Sequence, residues 1–152
     1  MDARPLEALV YEHMLLSRYA LQGAPPYGRE APIDRSAAVL LARLEAEGPL
    51  TVAELAQAFD LDVSTVHRQV AAAMRNGLIE RMPDPAGGAA RKHRPSEEGA
   101  RRLAAELEAR RAASDRVTAD WPDEDLATFV RLLRRFNEGV EQVRGRPWPR
   151  PE

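Results

Sequence analysis

The stretch that most restricts what this chain can fold into is "TVAELAQAFDLDVSTVHRQV", residues 51–70. Thr51 is followed three positions later by Glu54, the spacing of a capping box. In that arrangement each side chain satisfies the other residue's free backbone N–H at a helix start. The helix so begun runs to about Phe59. Only Asp60, Leu61 and Asp62 separate it from a second helix, which Asp62 is placed to cap. Two short helices joined by so tight a turn form a helix-turn-helix.

The second of these helices has two sides of different chemistry. Val63, Val66, Val70 and Met74 fall three or four apart, the spacing of a buried stripe. Ser64, His67, Arg68, Ala71 and Arg75 share the opposite face, which carries no acid and no bulky apolar group. Gly77 then stops the helix. "LIERM" reads as a strand, "PDPAGG" as a turn and "AARKHR" as a returning strand. A hairpin directly after a helix-turn-helix makes a winged helix. Alternation along its returning strand sends Arg91 and His93 one way, Lys92 and Arg94 the other.

The flanking segments are helical. A first helix is expected from about Pro5 to Leu21, with Leu6, Leu9 and Val10 on one face and Tyr11, Leu15 and Tyr19 on another. A helix apolar on several sides wants burial from several directions. "QGAPPYGREAP" breaks the chain, and Asp34 is placed to cap a second helix carrying Val39, Leu40, Leu41 and Leu44, ended by Gly48-Pro49. Ser96 opens a long fifth helix with Leu103 and Leu107 beside Ala100 and Ala104. Pro122 suits the first position of a sixth, whose stripe is Leu126, Phe129, Val130, Leu133, Phe136, Val140 and Val143. "GRPWPRPE" has the composition of a disordered tail. The fold class is therefore mainly α, a winged helix-turn-helix between long N- and C-terminal helices. Its segments are 5–31 (N-terminal helix and linker), 32–95 (winged helix), 96–143 (C-terminal helices) and 144–152 (tail).

Charge is unevenly distributed over the 152 residues. From Val63 to Pro95 six basic residues (Arg68, Arg75, Arg81, Arg91, Lys92, Arg94) face two acids (Glu80, Asp84). A local excess of four positive charges on a chain of net charge −2 leaves −6 for the remainder. A basic segment on an acidic body is the footprint of a polyanion site, with a solvated charged face as the alternative. Cysteine is absent, which excludes disulfides and thiolate metal sites. The three histidines are scattered, so neither a metal site nor a cofactor is expected. No apolar run approaches the roughly 18 residues that span a bilayer. Glu7, Glu12 and His13 interrupt the N-terminal apolar stretch, so a signal peptide is not expected and a cytoplasmic location is. The chain has no G-x-S-x-G, no phosphate-binding glycine loop and no cysteine nucleophile, and enzymatic activity is not expected.

"EGPLTVAELAQAFDLDVSTVHRQVAAAMRNGLIERMPDP", with "SEEG" opening the next helix and "DLATFVRLLRRF" late in the chain, resembles the MarR family of bacterial transcriptional regulators. The likeness extends over roughly residues 5 to 143. It implies a homodimer with the first and last two helices interlocked as dimerisation helices. It also implies a pseudo-palindromic double-stranded DNA operator and a small aromatic or phenolic effector that releases a repressor. Ser64 and Thr65 would then meet phosphates or base edges, while His67 and Arg68 reach deeper into the major groove, Arg68 toward guanine. Arg75, Arg91, Lys92 and Arg94 complete the candidate DNA-binding set. Tyr11, His13, Tyr19 and Trp121 are candidate effector-binding residues, with simple packing the alternative for each. The family's wing commonly carries an arginine at its tip, whereas here the tip is Ala86-Gly87-Gly88, and Pro95 stands where leucine is usual. A winged helix used for protein contacts alone is the competing reading, and the basic segment with its Ser/Thr/His/Arg face favours DNA.

Overall fold

A computed structural model describes residues 5–21, 33–83 and 91–150. The expected chain break at 22–32 and the expected wing turn, with Asp84, Ala86, Gly87 and Gly88, lie outside the described residues. The chain divides into two compact units, Met1–Pro32 and Ile33–Glu152. The first contains α1 (Leu6–Leu21), on which Leu6, Leu9, Val10, Tyr11, Met14, Leu16 and Tyr19 are all exposed.

The second unit runs α2 (Arg35–Glu47), α3 (Val52–Phe59), α4 (Val63–Arg75), β1 (Ile79–Arg81), β2 (His93–Pro95), α5 (Glu97–Val117) and α6 (Asp123–Arg144). Local signals set most of these boundaries. Asp34 Oδ1 accepts the Ser36 N–H at 2.8 Å and starts α2. The capping box of α3 is complete: Thr51 N–H donates to Glu54 Oε2 at 2.8 Å, and Glu54 N–H to Thr51 Oγ1 at 3.1 Å. Ser96 Oγ accepts the Gly99 N–H at 2.9 Å to open α5, and its own hydroxyl donates to the Gly77 carbonyl at 2.5 Å. Gly77, at φ 72°, ends α4 by letting the Leu78 N–H turn back to the Ala73 carbonyl at 2.9 Å. Two expected caps differ. Asp62 occupies the N-cap of α4, but its side chain makes no cap hydrogen bond. Pro122 stands at the N-cap of α6, one place before the first helical residue.

The core belongs to the winged helix. Leu40, Leu41 and Leu44 of α2 meet Leu55 and Ala56 of α3, Val66, Val70 and Ala73 of α4, then Leu50, Leu78, Ile79 and Leu103. Burying each such aliphatic side chain contributes about 1.5–3 kcal/mol, so this cluster carries the unit. α2 packs against α4, α5 and β2, and α3 against α4. β1 and β2 pair antiparallel with Ile79 opposite Pro95, Glu80 opposite Arg94 and Arg81 opposite His93. Leu50 adds a bridge on the far edge of β2.

Three expectations are corrected. Val63 is not part of the buried stripe of α4; it is exposed, and Val66, Val70 and Ala73 form the buried side. The stripe on α5 is shorter than expected, since Leu103 is buried while Leu107 is exposed. The tail, expected to lack structure, packs back on the helices over residues 146–150. Gly145, at φ 65°, lets the chain reverse after α6, with Arg146 N–H donating to the Glu141 carbonyl at 3.0 Å. The Trp148 ring then stacks on Phe59 at 5.9 Å, and the Arg43 guanidinium lies 5.0 Å over its centre. Arg43 also pairs with Glu47 at 2.5 Å and donates to the Pro147 carbonyl at 3.2 Å. Arg146 donates to the Gln57 carbonyl and to Asp60 Oδ1. Glu141 accepts from Arg150 at 2.5 Å and from the Trp148 N–H at 3.1 Å, which together hold its carboxyl below the ordinary range. Arg43, Gln57, Phe59 and Asp60 lie far from residues 146–148 along the chain, so local composition does not announce these contacts.

α6 buries no residue. Leu126, Phe129, Val130, Leu132, Leu133, Phe136, Val140 and Val143 are all exposed to a third or more. No helix among the described residues is long and apolar enough to cross a membrane.

Candidate nucleic-acid interface

α4 owes its orientation to its partners. Val66, Val70 and Ala73 face α2 and α3, so the rest of the helix turns outward. On that outer side Ser64, His67, Arg68 and Arg75 are exposed, and Thr65 and Ala71 are half-buried. Arg68 Nη2 lies 3.4 Å from Thr65 Oγ1, a long contact one turn apart that holds the guanidinium loosely along the helix. The exposed Val63 adds an apolar group at the leading end of this surface. A helix start gathers unpaired N–H groups and partial positive charge, which suits an anion. The surface can therefore donate hydrogen bonds to an anionic ligand and reach into a groove, and within α4 it carries no acid, although Asp62 stands exposed just ahead of the helix.

The wing supplies a second cationic surface. Arg91 and Lys92 are exposed beside β2, and Met82 N–H donates to the Lys92 carbonyl at 2.9 Å, carrying the pairing one step beyond the strands. Arg94 is exposed too, but its Nε donates to Glu80 Oε1 at 2.8 Å across the register, so it already has an anionic partner. Arg81 is exposed on β1; it belongs to the basic segment, though not to the DNA-binding set expected from the sequence. The signal that finds it is its position opposite His93 in the hairpin.

His93 does not behave as an exposed wing residue on a face with Arg91. It is 5% exposed, and its backbone exchanges hydrogen bonds with Leu50 in both directions, at 2.7 and 3.2 Å. β2 begins at His93 and includes Pro95, so the strand lies nearer to α5 than the expected 89–94. Since that strand offers no aliphatic side chain at the inward position, the imidazole fills it. Burial pushes its pKa below 6.5, opposed by a hydrogen bond with the Leu50 backbone and reinforced by the charges of Arg81 and His67. Its Nδ1 has no hydrogen-bond partner among the described residues.

Of the candidate effector residues, Tyr11, His13 and Tyr19 are exposed on α1 in the first unit. Trp121 belongs to the second unit, where it meets Phe129 edge-on at 5.6 Å. Among the described residues no group of three or more His, Cys, Asp or Glu side chains is arranged to hold a metal ion.

Comparison with known proteins gives one consistent answer. Residues 32–90 match the model of the MarR family. The chain is 32% identical over 137 residues to an uncharacterised HTH-type transcriptional regulator, YxaD of Bacillus subtilis, covering 90% of this chain and 96% of that one. A MarR family protein from Bacillus stearothermophilus superposes with a TM-score of 0.68 at 32% identity, over 88% of this chain and 96% of that one. The PcaV transcriptional regulator of Streptomyces coelicolor, solved with its natural ligand, superposes with a TM-score of 0.60 at 25% identity, over 93% of this chain and all of that one. With a winged helix whose fourth helix turns a polar, cationic face outward, and with these relatives along nearly its whole length, the chain belongs to the MarR family of DNA-binding, helix-turn-helix transcriptional regulators, which are not enzymes.

Proposed function

We propose that the protein is a cytoplasmic homodimer that recognises a pseudo-palindromic operator and represses transcription until a small aromatic acid or phenol releases it. The observation that carries this reading is the outward face of α4, where Ser64, His67 and Arg68 stand exposed with Thr65 at their side. In this reading Ser64 and Thr65 meet phosphates or base edges, His67 and Arg68 read bases in the major groove, and Arg75, Arg91, Lys92 and Arg94 contact the backbone. Dimerisation is supported by α6, which shows an apolar stripe with no residue buried. Exposed apolar patches of that extent mark interfaces. Two equivalent recognition helices then require half-sites whose centres lie about one helical turn, roughly 10 bp, apart. The effector rests on PcaV, which was solved with its natural ligand.

The test is selection of retained fragments from random duplex DNA, followed by sequencing and a salt titration. Recovery of a symmetric motif, with affinity falling steeply as salt rises, is the expected result. Retention of no fragment, or of fragments sharing no motif, overturns sequence-specific regulation. For the effector, a panel of aromatic acids and phenols is titrated against the recovered operator. A ligand that relieves repression must favour the non-binding state by about a few kcal/mol.

A further inference from the structure

The chain that follows α6 returns to grip the helix-turn-helix at its turn. Its contacts fall into two groups. One holds the segment to helices: Trp148 against Phe59 of α3 and under Arg43 of α2, and Arg150 with Glu141 of α6. The other holds the turn itself. Arg146 bridges the Gln57 carbonyl and Asp60 Oδ1, 3.0 Å for the latter. Gln57 and Asp60 form the end of α3, where Asp60 adopts the left-handed conformation, φ 56° and ψ 46°. Only Leu61 and Asp62 lie between Asp60 and the first residue of α4. A guanidinium that holds both a carbonyl of the last turn of α3 and the side chain of Asp60 restrains the turn from which the following helix leaves.

The segment also fastens α6 to the helix-turn-helix. α6 buries no side chain of its own, whereas residues 146–150 tie Glu141 near its end to α2 and α3. We propose that residues 145–150 are a strap that sets the pitch of the recognition helix relative to α6, with Arg146 and Trp148 as positioning residues for operator recognition. This rests on the DNA-binding, dimeric reading above. Neither residue need touch DNA. Their effect is on where the two copies of α4 stand, and therefore on which half-site spacing the dimer accepts.

The test uses the full chain with Arg146→Ala and Trp148→Ala, measured against the selected operator, against operators with one base pair added or removed between half-sites, and against random duplex. Circular dichroism and sedimentation establish that each variant is folded and dimeric. The expected result is an operator affinity about tenfold weaker, a flattened preference among spacings, and an unchanged affinity and salt slope on random duplex. A purely structural role would instead lower affinity for all three duplexes together, in step with the folded fraction, and that outcome overturns the proposal. So does a folded variant with wild-type affinity and spacing preference. Should Trp148→Ala not fold, Asp60→Asn carries the test, since it weakens the charge held by Arg146 while leaving the aromatic stack in place. A wild-type chain that distinguishes no duplex from random DNA sinks the regulatory reading. Strap variants that match a discriminating wild type sink the strap alone.

Discussion

Gly99 leaves no room for a side chain against the backbone of Leu78: a β-carbon at that position would lie 1.9 Å from the Leu78 carbonyl oxygen and 2.8 Å from its carbon. The same carbonyl accepts the Ser96 N–H at 2.9 Å, so it cannot swing aside without breaking the bond that seats the start of α5. Gly99→Ala is therefore expected to force α5 away from the root of the hairpin. Overpacking of this kind costs about 1–3 kcal/mol, and a helix-favouring alanine recovers at most about 1 kcal/mol. A urea melt checks it, and an unchanged midpoint would show that α5 is not seated against Leu78.

Arg68→Ala is expected to weaken operator binding by roughly 1–3 kcal/mol and to relax base preference at one position per half-site. Arg68 is exposed within the first two turns of α4, and among the described residues its side chain meets no acid, only Thr65 at long range. Competition binding with single-base operator variants decides between a base contact and a phosphate contact. Equal weakening on all sequences would move Arg68 to the backbone.

The wing should act through phosphates, with its cations unequal. Replacing Arg91 and Lys92 by alanine is expected to weaken binding to every duplex. The log-log salt slope should become shallower by about one unit for each phosphate no longer neutralised. Arg94→Ala should do less, because Glu80 already occupies Arg94. Glu80→Gln runs the other way, releasing Arg94 and removing an acid, so non-specific affinity and salt slope should both rise. An unchanged slope in all three would mean the wing stays clear of DNA.

His93 makes stability depend on pH. Its pKa is lowered by burial, so between its folded value and 6.5 the unfolded chain binds more protons than the folded one. Stability from the neutral imidazole is complete above about 6.5 and falls as pH drops through that value toward the folded pKa. The melting temperature should therefore decline on acidification from pH 7, and His93→Gln should flatten the decline. A His93→Gln variant with the same slope as the wild type would assign the effect elsewhere.

Sedimentation should show a dimer at micromolar concentration, and Val130→Glu should shift it toward monomer and abolish palindrome preference. Val130 is 55% exposed in the single chain. A substitution at a solvent-facing site stays within about 0.5 kcal/mol, so a large effect on assembly would mark the surface as covered in solution.

Much of this architecture is legible in the sequence because it is written locally. The Thr51–Glu54 box, the Asp34 and Ser96 caps and the Gly77 stop are each set by residues within a few positions, and each stands where local chemistry places it. The outward polar face of α4 is legible from helical period, apart from Val63, whose apolar side chain fits the stripe numerically but lies before the packed turns. His93 misleads because alternation gives two faces without saying which is inside, and a strand with no aliphatic residue offers nothing to decide it. The strap is invisible for a different reason. A Pro-rich stretch looks unstructured in isolation, while Trp148 finds Phe59 and Arg43 about ninety to a hundred residues back. Only the assembled fold brings a ring, a guanidinium and a carbonyl to one place.

Asp60 gives the molecule a weakness that a heat-based screen would overlook. Its left-handed backbone costs an aspartate about 1 kcal/mol or more, a strain that glycine escapes. An exposed ion pair such as Asp60 with Arg146 contributes about 0.2–1 kcal/mol. Asp60→Gly relieves one and forfeits the other, so thermal tolerance should scarcely move. If Asp60 and Arg146 set half-site spacing as proposed, an Asp60→Gly chain would discriminate less well between spacings while its melting curve scarcely moved.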